Sequence, residues 1–134
     1  MKASMRIIGA AIFVAGTGLA LHATQAQQSS IHRTDILRHE LSIPGHEVIQ
    51  VRVDFAAGAA FGKHSHPGVE IAYVLEGTLE YQIEGQPSVT LKAGEALYIP
   101  AGTFHAARNV GRGTASELAT YVVEKGKPLV VLKQ

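Results

Sequence analysis

Four side chains in this sequence could together hold one metal ion: His64, His66, Glu70 and His105. His64 and His66 are two positions apart, and in an extended strand positions i and i+2 point to the same face. Both imidazoles can therefore reach a single ion. Glu70, four residues further on, has the same parity and points the same way if the strand continues through Pro67-Gly68, a pair that otherwise bends the chain. His105 follows a Pro-x-Gly turn 35 residues beyond Glu70 and can return to the site across a neighbouring strand. Taken alone, a His-x-His pair is as often two polar residues on a wet strand face as a metal site. Glu70 tips the balance, because it lies within Val69-Glu70-Ile71-Ala72-Tyr73-Val74-Leu75. An acid buried in such a strand is costly unless it is paired or binds a cation. There is no cysteine, so disulfides, thiolate zinc sites, iron–sulfur ligation and thiol nucleophiles are excluded, and a metal must be held by nitrogen and oxygen.

The elements that must carry these residues read as strands. From Glu47, the apolar residues Ile49, Val51, Val53 and Phe55 alternate with Gln50, Arg52 and Asp54, the period of a half-buried strand. Further strands are expected over about Val69–Leu75, Thr78–Glu84, Val89–Leu91, Ala96–Ile99, Phe104–Asn109, Ser116–Val123 and Leu129–Leu132, with Gly or Pro at nearly every break. No helical period of 3.6 appears after the first 26 residues. The expected fold class is all-β, a sandwich or barrel in a single domain. Residues 27–46 read as a polar N-terminal arm, with His32, Arg33, Asp35, Arg38 and His39 on a solvated arm or edge strand, and residues 47–134 as the barrel.

Glycine and proline spacing extends the pattern. Gly58-x5-His64-x-His66-x3-Glu70-x6-Gly77 and Gly94-x5-Pro100-x-Gly102-x2-His105-x3-Asn109 match the two cupin motifs at ten fixed positions. The sequence thus resembles the cupin superfamily, specifically the small single-domain, type-2 or quercetin dioxygenase-like members. The resemblance implies a jelly-roll-like β-barrel with His64, His66, Glu70 and His105 turned inward onto one divalent metal ion per chain. Iron, manganese, nickel, copper and zinc all suit three imidazoles and a carboxylate. Asn109 could equally cap a turn.

The first 26 residues are set apart from this pattern. Lys2 and Arg6 precede the uncharged run Ile7–Leu21, and Thr24-Gln25-Ala26 offers small residues at a cleavage site. This is the layout of a signal peptide. The run of 15 residues is shorter than the roughly 20 needed to span a bilayer. A periplasmic or secreted protein, cleaved after Ala26 and touching the membrane only in transit, is expected. Removing Lys2 and Arg6 leaves 10 basic against 11 acidic residues. The mature chain has no basic stripe, so nucleic acid is not an expected partner.

For function, the resemblance implies a small-molecule ligand or substrate and leaves three readings open, since the fold hosts many chemistries. The first is a dioxygenase, with Glu70 as a ligand that also serves as general base. The second is a non-catalytic ligand-binding or sensory module, favoured by the 16 residues between Gly77 and Gly94, too few for a lid. The third is a metal-dependent isomerase or lyase. Phe61, Tyr73, Tyr81, Tyr98 and Phe104 are candidate pocket linings. Val122, Val123 and Leu129–Leu132 provide apolar strand material for a homodimer, or for closing the chain's own barrel.

Overall fold

A computed structural model describes residues 30–134; the expected leader, residues 1–26, lies outside the described residues. Ten strands follow one another: β1 (Ile31–Glu40), β2 (His46–Phe55), β3 (Ala60–Ser65), β4 (Gly68–Glu76), β5 (Thr78–Ile83), β6 (Val89–Lys92), β7 (Ala96–Ile99), β8 (His105–Asn109), β9 (Ala115–Glu124) and β10 (Val131–Leu132). There is no helix among the described residues. The strands form two antiparallel five-stranded sheets, ordered β1-β2-β9-β4-β7 and β10-β3-β8-β5-β6.

The period-two pattern is the reason the sheets close on each other. Along β2, Glu47, Ile49, Val51, Val53 and Phe55 are buried while the residues between them are only half covered. β9 pairs with β2 over its whole length and contributes Ala115, Glu117, Ala119, Tyr121 and Val123 to the same face. From the other sheet Leu79, Tyr81, Leu91 and Ala107 meet them. Apolar burial between the sheets is the main favourable term in such a fold.

Two terminal regions sharpen the sequence expectation. Of the two readings of the polar N-terminal residues, the structure has the edge strand: β1 pairs with β2 from Ile31 opposite Phe55 to Glu40 opposite Glu47, with a bulge between Asp35 and Leu37. Its polar composition fits an edge: the backbone is paired, yet only Ile31 and Arg33 are even half-buried. At the other end, the strand expected over Leu129–Leu132 is reduced to β10, seated on β3 with Val131 opposite Ser65 and Leu132 opposite His64. The tail closes its own barrel.

The stretch from His64 to Glu70 is not one continuous strand. β3 ends at Ser65 and β4 begins at Gly68, and the two belong to opposite sheets. The chain changes sheets across His66-Pro67. At Gly68 it presses so closely on β9 that an added Cβ would lie 1.9 Å from the Val122 carbonyl oxygen; only glycine fits there. The backbone N–H of Gly102 donates to the His66 carbonyl at 2.9 Å and pins the crossing.

Candidate metal centre

The sheet crossing brings the four predicted ligands together. His64 on β3 and His105 on β8 are direct cross-strand partners, their ring centroids 4.2 Å apart. His66 hangs from the crossing, 4.8 Å from His64 and 5.1 Å from His105. Glu70 reaches in from β4 in the facing sheet, with Oε2 at 3.0 Å from His66 Nε2 and 3.1 Å from His105 Nε2. One ligand atom from each residue lies within 4.8 Å of all the others, and all four residues are buried.

Hydrogen bonding fixes which imidazole nitrogen faces inward. Nδ1 of His64 meets the Gly62 carbonyl at 2.8 Å, Nδ1 of His66 the Leu129 carbonyl at 2.6 Å, and Nδ1 of His105 the Thr103 carbonyl at 3.0 Å. A carbonyl only accepts, so each Nδ1 carries the proton and donates. Each neutral ring therefore turns an Nε2 lone pair toward the common centre. The result is three lone pairs and a carboxylate converging at short range. His66 Nε2 and Glu70 Oε2 are fully buried and, despite their 3.0 Å approach, have no hydrogen-bond partner. Facing acceptors repel, and the arrangement becomes favourable with a cation among them. Carbonyl partners behind metal-binding histidines are the usual means of fixing tautomer and ring angle. The residues present thus fit one divalent ion.

Titration behaviour agrees with that picture. Burial, reinforced by the charge of His105, holds the His64 imidazole down to about 4, so it is neutral and ready to ligate. Burial alone would raise the Glu70 carboxyl, but the His105 and His66 imidazoles beside it outweigh that and hold it well below the usual carboxylate range. Burial works against a charged His105 too, yet Glu70 beside it raises its pKa.

A second group of residues completes the cleft. Glu117 and Tyr121 on β9, Phe61 on β3 and Arg33 on β1 line it together with His64, Glu70 and His105. Tyr81 donates a very short hydrogen bond from its hydroxyl to Glu117 Oε2. Burial first, and then the charge of Glu70, raise the Glu117 carboxyl well above the usual range. Tyr81 and Tyr121 are also pushed up, chiefly by burial. The cleft has an empty volume of about 280 Å³, mouth included, but between the ligand tips and the walls the room is about that of a water molecule.

Sequence reasoning missed Glu117, although a signal was present. It shares parity with Ala119, Tyr121 and Val123, and an acid on the buried face of an apolar strand is the same anomaly that singled out Glu70. Arg33 sits in a polar stretch with no such signal. Of the candidate linings, Phe61 belongs to the cleft and Tyr81 acts on it through Glu117. Tyr73 and Tyr98 do not belong: they lie exposed on the outer face of their sheet, since turning Glu70 and Ala72 inward turns Tyr73 outward. Phe104 stacks instead under the Lys133 ammonium, 4.9 Å from the ring centroid. Asn109 is a scaffold residue. Its amide donates to the carbonyls of Phe55, Ala56 and Gly113 and accepts from the Gly111 N–H.

Comparisons with known proteins bear on the same residues. The chain is 35% identical over 88 residues to germin-like protein 1-1 of Oryza sativa subsp. japonica, covering 60% of this chain and 41% of that protein. Among solved structures it is similar to recombinant oxalate oxidase in complex with glycolate, with a TM-score of 0.63 and 28% identity over 77% of this chain and 55% of that one. It also shares the fold of the dimethylsulfoniopropionate (DMSP) lyase DddQ from Ruegeria pomeroyi, with a TM-score of 0.66 at 23% identity, covering 79% of this chain and 53% of that one. The chain spans less than half the length of the curated relatives it matches. The family model described as "Cupin domain" matches residues 51–130, a span that carries all four ligand residues, and on that match the chain belongs to the cupin family.

Proposed function

We propose that this cupin is an exported, metal-dependent enzyme of the dioxygenase type that oxidises a small molecule at the His64–His66–Glu70–His105 centre. The observation that carries the reading is the set of three Nε2 lone pairs and one ionised carboxylate converging on a point, with every Nδ1 tied to a carbonyl. A divalent ion bound there supplies Lewis acidity and, for a redox-active metal, access to dioxygen. The chain's own residues do the rest. The imidazoles hold their angle through Gly62, Leu129 and Thr103. Glu70 contributes the negative charge, and as the one carboxylate among the four residues it is our candidate general base. Glu117 holds a proton on the opposite wall, in a hydrogen bond with the Tyr81 hydroxyl. Phe61 and Tyr121 cover the histidines and keep bulk water from them. The similarity to oxalate oxidase supports oxidative chemistry.

A second reading, a lyase, is favoured by one observation: the buried Glu117–Tyr81 pair is a proton-handling group that need not ligate anything, and a DMSP lyase is among the similar proteins. Elemental analysis of protein purified from its export compartment should show about one metal per chain. Oxygen uptake is then measured on a panel of flavonols, catechols and small carboxylates. Uptake with turnover supports the first reading. Product elimination without oxygen consumption supports the lyase, and metal binding without turnover on any substrate supports a sensory or ligand-binding module. We also propose a homodimer, supported by the exposed apolar residues Ile71, Tyr73 and Tyr98 on one sheet face; light scattering showing a monomer would remove it.

A further inference from the structure

Arg33 lies outside the matched cupin span and on the edge strand, yet its side chain enters the metal cleft. The register explains how. Arg33 is the direct partner of Val53, whose side chain is buried between the sheets, so Arg33 points to the same inner face. Its guanidinium carbon sits 5.9 Å from the centroid of the Phe61 ring, the outer limit of a cation–π contact. Its other neighbour is the Tyr121 hydroxyl, on which it acts by charge and by a side-chain hydrogen bond. None of the ion pairs among the described residues involves Arg33. Half-buried arginines are normally matched to a carboxylate or phosphate, because removing the charge from water without a partner is unfavourable.

Glu117 is the one acid of the cleft that could serve as an internal partner, and it does not. Its carboxylate is engaged by Tyr81, and the attraction of Arg33 is outweighed by burial and by Glu70. With a divalent ion on the four ligands, the cleft would hold the ion's charge and the guanidinium against the carboxyls of Glu70 and Glu117, and two positive charges on the ion plus one on Arg33 exceed them even with both ionised. The balance is positive. What would neutralise it is an anion that reaches both the ion and Arg33.

We infer that Arg33 is a specificity-determining residue that captures the carboxylate of a small anionic substrate while the substrate's other end meets the metal centre. The inference rests on the proposed metal site and adds to it a substrate class, small carboxylates. The fork of guanidinium donors matches a carboxylate in two parallel hydrogen bonds. The narrow room beside the ligand tips restricts the inner end of the ligand to a few atoms.

The test uses the mature chain loaded with Mn(II), with glycolate as the charged probe and glycolamide as its neutral counterpart. Metal content is measured by elemental analysis, and binding by calorimetry and by the Mn(II) paramagnetic resonance spectrum. Arg33→Gln should keep its metal and lose ~10- to 100-fold in glycolate affinity, the scale of a hydrogen bond to a charged group. Glycolamide binding should be unchanged, and Arg33→Lys should recover part of the loss by restoring charge without the fork. Equal glycolate affinity in wild type and Arg33→Gln, or no glycolate binding to the metal-loaded wild type, would overturn the role of Arg33 while leaving the metal site standing. Failure of the wild type to hold metal would overturn both.

Discussion

Glu70 and Glu117 are buried carboxylates of one cleft, on the adjacent strands β4 and β9, and they behave in opposite ways. Glu70 is surrounded by imidazoles that hold it ionised; Glu117 is bonded by the Tyr81 hydroxyl, and burial pushes its carboxyl up to about 7. Burial pushes both upward. Glu70 has imidazoles at hydrogen-bond distance to compensate it, whereas His105 and Arg33 act on Glu117 too weakly to offset burial and the charge of Glu70. The pair shows that in this barrel the strand sets which residues face inward, while the cross-strand neighbours set the charge state. One wall therefore suits a cation, and the other suits a proton.

The sharpest way to break this contrast is to remove the cation's wall. Replacing His64 and His66 together by alanine should take metal content from about one per chain to essentially none, read by elemental analysis; retained metal would place the site elsewhere. Next in size is a matched pair of isosteric changes. Glu70→Gln removes the only charged ligand, and its metal affinity should fall by more than the ~10- to 100-fold typical of changes behind a ligand. Glu117→Gln should stay within that range. A chelator competition series compares the two, and equal losses would erase the distinction between the walls.

Protonation offers a third test. The folded-state pKa of Glu117 is raised above its ordinary value of 4.5, so its contribution to stability is fully present below that value and is lost as the pH rises through the folded pKa. His64, held down to about 4, works in the opposite direction over part of the same range, so the wild-type curve alone is uninformative. The difference between variants isolates the group. Relative to wild type, metal-free Glu117→Gln should gain on the order of 1–3 kcal/mol between pH 5 and pH 8, measured by denaturant unfolding. A flat difference would show that Glu117 ionises freely. The smallest effect is expected for Tyr81→Phe, which removes the hydroxyl that donates to Glu117 and should lower stability by ~0.5–1.5 kcal/mol with little change in metal content.

The same contrast explains what was legible in the sequence. The cation's wall is written in closely spaced residues with glycine and proline punctuation, and the four residues that the structure brings together could be read from it. The parity argument for His64 and Glu70 reached the right cluster by a different route from the chain: they face each other from opposite sheets because the backbone turns over at His66-Pro67 and Gly68 lets it lie against β9. The proton's wall comes from β1, β5 and β9, which are far apart in sequence. Glu117 left a trace in its apolar alternation. The position of Arg33 depends on the β1–β2 register, and nothing local to that polar edge strand encodes it.

The hydrogen bond from His66 Nδ1 to the Leu129 carbonyl ties a ligand to the last turn before β10. That residue donates no side-chain group to the centre, so its contribution would be invisible to any ranking of residues by chemical type. Through it, the C-terminal segment becomes a strut for the His66 ring, and its loss would be felt at the candidate metal centre. Cutting the chain before Pro128 would spare every ligand yet release the His66 ring to choose its tautomer and tilt. In protein engineering terms, tags and fusions are safer at the start of β1 than across this strut, and amide exchange along β10 becomes a remote gauge of whether the centre is filled.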